Sequence, residues 1–186
     1  MAKLKYMMLM SMDGFIEDEQ GDFSWCAPDA QVHTYVNKIS SSIGTHIYGR
    51  RMYDIMRYWE NAHEIPEQPA HTLEWALQWQ AADKIVYSRT LTEVQTARTR
   101  LEAEFNPATI HQLKADASQD ISISGPELAA HALRADLVDE ITMVMGPVII
   151  GNGKRFLPAG LRLDLDLLDM QHFDNGFVAL HYTVLN

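Results

Sequence analysis

The run Ser124-Gly125-Pro126-Glu127-Leu128, followed by Leu137-Val138-Asp139-Glu140 and then by Gly146-Pro147-Val148-Ile149-Ile150-Gly151-Asn152-Gly153-Lys154, constrains the fold more than any other stretch. It reads as a strand, a glycine turn, a helix, and a second strand that ends at a glycine-rich loop. A helix that opens directly after glycine points free backbone N–H groups beyond the strand end, which suits an anion such as a pyrophosphate. Pro126 is tolerated in the first turn because its missing N–H would have no partner there. Strand–helix units of this kind build open α/β sheets, where ligands bind beyond the carboxyl ends of the strands.

The rest of the chain extends this pattern. Leu4 to Met10 is a continuous apolar run, as expected of a strand covered on both faces, and Asp13-Gly14 breaks it ahead of a polar loop from Glu17 to Asp22. Pro28-Asp29 opens a helix reaching about Ser42, with Asp29 suited to cap it. Thr45 to Tyr48 reads as a strand, Arg51 to Tyr58 as a helical turn or two, and His63 to Pro69 as a loop. A helix is expected near Ala70 to Gln80 with Leu73, Ala76 and Leu77 on one face, then a strand over Lys84 to Ser88. The pattern further predicts a helix within Leu91 to Phe105, strands over Thr109 to Leu113 and Ile121 to Ser124, and a helix over Pro126 to Arg134. Strands over Glu140 to Val148, Leu163 to Phe173 and Phe177 to Leu185 complete the set, the last two joined at Asp174-Asn175-Gly176, a hairpin signal. The expectation is one domain over residues 1–186: a mixed, mostly parallel sheet with helices on both faces and a C-terminal antiparallel hairpin.

With Lys and Arg numbering 15 against 25 Asp and Glu, the formal charge of −10 argues against nucleic acid as the main partner. Local cationic pockets remain at Arg50-Arg51 and Arg89. Cys26 is the only cysteine, so no intramolecular disulfide forms, which fits a reducing cytoplasm. It reads as a half-buried thiol rather than a nucleophile. Met1 to Met12 is too short for a membrane span, and no signal peptide or membrane association is expected. The histidines lack HxxH or HExxH spacing, so no metal site is expected; His33, His131 and His181 read as surface or packing residues.

Three loops could grip one phosphate-rich ligand. Gly49-Arg50-Arg51 follows a strand, where glycine allows close backbone approach and two guanidinium forks can hold phosphate oxygens. Ser88-Arg89 ends the next strand with a hydroxyl and a guanidinium able to clamp a phosphomonoester. Gly125 to Leu128 forms the third. By contrast, Gly151-Asn152-Gly153 fails as a dinucleotide fingerprint, since Phe156 stands where the third glycine belongs and no helix follows. Asp29, beside Trp25 and Pro28, is the candidate proton donor, with Asp13 in reserve; the plainer readings are a helix cap, which aspartate favours at position 29, and an ordinary turn aspartate ahead of Gly14.

Taken together, Ser11-Met12-Asp13-Gly14, Gly21-Asp22-Phe23-Ser24-Trp25, Tyr48-Gly49-Arg50-Arg51, Tyr87-Ser88-Arg89, Ser124-Gly125-Pro126-Glu127-Leu128 and the stretch from Leu137 to Gly153 carry a family resemblance. From Leu4 to about Leu185 the chain resembles the dihydrofolate-reductase-like superfamily. The nearer likeness is to stand-alone relatives of the reductase domain that ends the bifunctional riboflavin-pathway deaminase/reductase. The resemblance implies a three-layer α/β/α dihydrofolate-reductase-like fold, NADPH as cofactor and a homodimer. It implies Gly49, Arg50 and Arg51 near the cofactor phosphates, Ser88 and Arg89 near the adenosine 2′-phosphate, Gly125, Pro126, Glu127 and Leu128 at the pyrophosphate, and Trp25 near the nicotinamide.

The departures fall on the substrate side. Riboflavin-pathway reductases typically carry an arginine late in the first helix, used on a ribose phosphate, where this chain has Ser40-Ser41-Ser42. Their Asp-Asp-Pro segment is replaced by Tyr53-Asp54-Ile55-Met56, and a glutamate before the Gly-Pro pair by Ile123. The expectation is therefore a reductase passing hydride from NADPH to a small, flat, pterin- or aminopyrimidine-like substrate. The alternatives are a dimeric NADP(H)-binding module without turnover and a flavin-binding protein.

Overall fold

The computed structural model describes residues 1–185; Asn186, the last residue of the expected domain, lies outside them. The chain opens with β1 (Leu4–Ser11) and a short β2 (Phe15–Glu17), then α1 (Ala30–Ser40), β3 (Ile43–Gly49), α2 (Arg50–Met56) and α3 (Ala70–Ala81). It continues through β4 (Asp83–Tyr87), β5 (Thr99–Glu102), α4 (Pro107–Asp116), β6 (Asp120–Ser124) and α5 (Pro126–Arg134). It closes with β7 (Glu140–Gly146), β8 (Lys154–Arg155), β9 (Asp164–His172) and β10 (Val178–Leu185). No helix among the described residues is long and apolar enough to cross a membrane.

Eight strands form one sheet in the order β5-β4-β3-β6-β1-β7-β10-β9, while β2 and β8 pair separately. The first six run parallel and β10 is antiparallel to both β7 and β9. The sheet therefore has the expected mostly parallel character, with helices on both faces. β1 sits inside it because its side chains are apolar on both sides: Tyr6 and Met10 enter the core under α4 and α5, Met7 and Leu9 the core under α1. A third cluster, built from Tyr48, Tyr53, Trp75, Trp79 and Val86, fixes α2 and α3 to β3 and β4.

Lys84 is 1% exposed and lies on the face covered by α3. Its ammonium donates to the carbonyls of Trp79 at 3.1 Å and Ala82 at 2.9 Å and sits 4.3 Å from the Trp79 ring centroid. A buried cation is tolerated here because it satisfies carbonyls that a helix end leaves unpaired. Trp79 in turn donates its indole N–H to the buried Tyr48 hydroxyl at 3.0 Å.

At three helical segments the structure differs from the sequence reading. No helix forms within Leu91 to Phe105; residues 91–98 are irregular and lead into β5. The Ser88 hydroxyl accepts from the Thr90 and Leu91 N–H groups, a local bond that competes with helix initiation, and Tyr53 Oη accepts from Gln95 N. Thr109 to Leu113 is helical rather than extended, because Asn106 caps α4 through a 2.9 Å bond from Ala108 N and Pro107 occupies the first turn. The buried side of α3 is Trp75, Ala76 and Trp79, with Leu77 58% exposed, since indole area outweighs the leucines. The hairpin forms where expected, at Asp174-Asn175-Gly176: Gly176 has φ +87° and its N–H bonds to Phe173 O, a three-residue turn ending in left-handed glycine.

Candidate functional site

A cleft of about 510 Å³ opens at the carboxyl ends of β1, β3 and β6, between the sheet and α1 and α2. Its volume falls within the roughly 300–1,000 Å³ of small-ligand sites. The topology puts it there: the chain passes from β1 to β3 over the position that β6 later fills, which leaves a crevice beyond the strand ends.

Two helix heads meet at its mouth. Gly49 precedes α2 and Gly125 precedes α5, and neither head carries a side-chain cap. They are neighbours: a Cβ on Gly49 would stand 4.0 Å from that of Leu128, and one on Gly125 would stand 3.5 Å from that of Met52. Gly125 has φ +94°, a left-handed conformation that any side chain would strain, so the turn itself calls for this glycine. Gly49, Arg50, Arg51, Gly125, Pro126, Glu127 and Leu128, all expected at a phosphate, contribute to one wall.

The charges at the mouth are not all free. Glu17, 7% exposed, pairs with Arg51 at 3.0 Å and Lys154 at 3.3 Å, and Lys154 pairs with Glu127 at 2.9 Å. Two carboxylates thus balance two cations. Arg50 donates to Thr90 Oγ1 at 2.8 Å and lies 3.8 Å from Asp54. Arg89 is exposed and enters no ion pair or hydrogen bond among the described residues. Ser88 and Arg89 lie outside the cleft wall and connect to it through Thr90, which touches both Ser88 and Arg50.

The proposed acids are placed differently. Asp29 Oδ1 accepts from Val32 N at 3.0 Å and caps α1; its carboxyl is not part of the cleft wall, although Ala27 and Pro28 are. Asp13 accepts from Gly151 N at 2.7 Å and Ile150 N at 3.3 Å. A hydrogen bond from Ser11, aided by these N–H groups, holds its pKa below the ordinary carboxylate value. Asp13 thereby clasps the loop after β7 and, like Asp29, is not part of the cleft wall. Trp25 donates its indole N–H to Asp22 O at 3.0 Å and packs with the α1 core, beside cleft residues Ser24 and Cys26.

The glycine loop after β7 completes the clasp. A side chain on Gly153 would run into the Glu17 carbonyl, so only glycine lets this loop lie on β2 and bring Lys154 to Glu17. Phe156 is buried against Tyr6, their rings stacked at 4.5 Å, while Tyr6 donates to Phe156 O at 2.7 Å. Cys26 is 4% exposed rather than half-buried, and burial pushes its thiol pKa up to about 11.

Sequence reasoning missed the inner wall. His46 on β3 meets Ser122 Oγ at 2.6 Å across the β3–β6 pairing, and burial, aided by the Lys84 charge, lowers its pKa to about 3. His33, read as a surface or packing residue, also lines the cleft, with Trp59 and Trp75 nearby. The i,i+4 spacing of His33 and Asn37 on a helix is the signal that could have paired them. A second cavity, of about 540 Å³, lies at the other end of β3 and shares Ser40, His46 and Trp75 with the first.

The model of a family described as the RibD C-terminal domain matches residues 2–179. YyaP of Bacillus subtilis (strain 168), itself uncharacterized, is 27% identical over 179 residues, which is 94% of this chain and 91% of that protein. A solved structure from Shewanella sp. PV-4 is similar at a TM-score of 0.77 and 19% identity, covering 100% of both chains. A diaminohydroxyphosphoribosylaminopyrimidine deaminase/5-amino-6-(5-phosphoribosylamino)uracil reductase from Thermotoga maritima is similar at a TM-score of 0.67 and 12% identity, over 99% of this chain and 57% of that one. At these identities the structural likeness is one of fold.

Replacing Glu17 by glutamine removes the charge that holds Arg51 and Lys154. Thermal unfolding is expected to show a loss of about 1.5–3 kcal/mol, the range for a hydrogen bond to a charged group. Calorimetry with inorganic pyrophosphate is expected to show binding tighter by roughly tenfold, about 1.4 kcal/mol, as the two cations become available. Unchanged pyrophosphate affinity would show that the mouth does not hold anions through these cations.

Proposed function

We propose that this chain, which belongs to the RibD C-terminal domain family, is an NADPH-dependent reductase acting on a small, flat heterocycle held in the cleft under α1. The observation that carries the reading is the meeting of two uncapped helix heads, at Gly49 and at Gly125, near Arg50 and near Arg89, which has no partner among the described residues. Uncapped N–H groups and guanidinium forks together form a cradle for a phosphorylated cofactor. The walls inward of it are apolar and aromatic, as a heterocycle requires.

In this reading Gly49 and Gly125 to Leu128 take the pyrophosphate, with Arg51 beside it. Ser88, Arg89 and Arg50 take the 2′-phosphate, and Trp25 stands near the nicotinamide end. NADPH, when bound, supplies a hydride. The chain orients the acceptor, excludes water and delivers a proton by way of Asp29 at the head of α1. A homodimer is part of the same proposal. It is supported by edge strand β9, where Leu167 is 55% and Met170 is 63% exposed and no helix covers them. The lone buried thiol supports a reducing, cytoplasmic setting. The binding-only alternative draws on one observation: Glu17 and Glu127, the carboxylates lining the cleft, are both committed to ion pairs.

NADPH is expected to bind more tightly than NADH, and Arg89→Ala to weaken NADPH by roughly ten- to hundredfold while leaving NADH unchanged, since a charge-assisted phosphate contact contributes about 1.5–3 kcal/mol. Fluorescence titration measures both, and equal wild-type affinities for the two cofactors refute the assignment. For the proton, Asp29→Asn keeps the cap but not the acid. NADPH oxidation against a panel of pterins and aminopyrimidines is expected to slow by about 10²–10⁴ with little change in melting temperature. A wild-type rate in that variant leaves Asp29 as a cap only, and no oxidation with any acceptor in the panel favours the binding-only alternative. Sedimentation at micromolar concentration is expected to give the mass of two chains, and a single-chain mass removes the dimer.

A further inference from the structure

We infer that His33 presents a bare Nε2 to the cleft as a fixed hydrogen-bond acceptor, and that a substrate must turn an N–H or O–H toward it. This rests on the reductase reading only for the word substrate; the state of the ring follows from its neighbours.

The chain of constraints begins at Asn37, which is fully buried one turn after His33. Its amide nitrogen donates to His71 O at 2.8 Å and to Glu74 Oε2 at 2.7 Å. Both partners only accept, so the amide cannot be turned round without setting oxygen against two oxygens. Its own oxygen is therefore the atom that meets His33 Nδ1, at 3.1 Å. An amide oxygen only accepts, so Nδ1 carries the hydrogen. In a neutral imidazole the other nitrogen is then an acceptor. None of the hydrogen bonds among the described residues involves Nε2, and the ring forms part of the cleft wall. It is held there between His71, 4.9 Å away centroid to centroid, and Trp59 at 6.1 Å.

The ring is also neutral. Burial, with the neighbouring His71, lowers its pKa below the usual 6.5, against smaller opposing effects of the Asn37 hydrogen bond and the Glu74 charge. Deeper in, His46 is neutral too and bound to Ser122. The cations of the cleft, Arg50, Arg51 and Lys154, all stand at its mouth. The inner wall thus offers acceptors and hydroxyls but no cation, which selects an uncharged, donor-bearing edge over a phosphate.

Long-range ¹H–¹⁵N correlation on ¹⁵N-labelled wild-type protein at neutral pH reads the tautomer directly. Protonated Nδ1 with unprotonated Nε2 is expected for His33; an Nε2–H ring or an imidazolium overturns the inference. Two probes then test recognition, 2,4-diaminopyrimidine and 2,4-dimethoxypyrimidine, which share a ring but differ in N–H donors. Calorimetry, with and without NADP⁺, is expected to show wild type binding the diamine at least about tenfold more tightly, the worth of one hydrogen bond. In His33→Leu, checked for folding by thermal unfolding, that preference is expected to disappear. A preference that survives in His33→Leu, or its absence from wild type, overturns the proposal. Failure of wild type to bind NADP⁺ counts against the reductase reading alone, since the tautomer and the probe preference are read without cofactor.

Discussion

The mouth of the cleft is organised by one buried carboxylate. Glu17 ends the short strand β2 and ties it to α2 through Arg51 and to β8 through Lys154, which in turn reaches Glu127 at the head of α5. Three elements from distant parts of the chain are thus held at the same rim. A buried carboxylate without partners is costly, so these cations cannot leave it without penalty. That constraint divides the arginines into two kinds. Arg51 is held by a buried carboxylate, whereas Arg50 leans on the Thr90 hydroxyl and the exposed Asp54, and Arg89 has no partner among the described residues.

The distinction bears on where an anion settles. A phosphate arriving at Arg51 competes with an existing charge pair, while one arriving at Arg89 meets a guanidinium that gains a partner. Under the proposed reading, a cofactor's 2′-phosphate is better served by the second, and its pyrophosphate by the backbone N–H groups of the uncapped helix heads. Further in, Ser40 and two histidines whose pKa values burial lowers replace the cations of the mouth, so the two ends of the cleft differ in charge.

What the amino-acid sequence made legible was local. The head of α5 at Gly125-Pro126, the cap at Asp29 and the buried run of β1 each announce themselves within a few residues, because capping, missing N–H groups and apolar periodicity act at short range. The misreadings are local as well: Asn106-Pro107 is a helix start that the β-branched Thr109 and Ile110 obscured, and Tyr53 draws residues 95 and 96 into a tertiary hydrogen bond that outweighs helix propensity. The site's charge balance lay beyond reach, since nothing near Glu17 in the chain points to Lys154. The inner wall was half visible. His33 and Asn37 share a helix face, but that Asn37 is locked by His71 and Glu74 emerges only when α1 packs on α3.

The lone thiol has a practical consequence. Cys26 is shielded from solvent, and its pKa of about 11 keeps it protonated near neutral pH, whereas thiol reagents attack the thiolate. The native thiol is therefore expected to react slowly with maleimides and similar electrophiles. A cysteine engineered on any exposed loop becomes the single addressable handle on the surface, without first removing the natural one. Fluorophores or spin labels placed on the loop before α1 and on the loop after β7 can then report how the rim of the cleft moves, against the low background expected of one buried thiol.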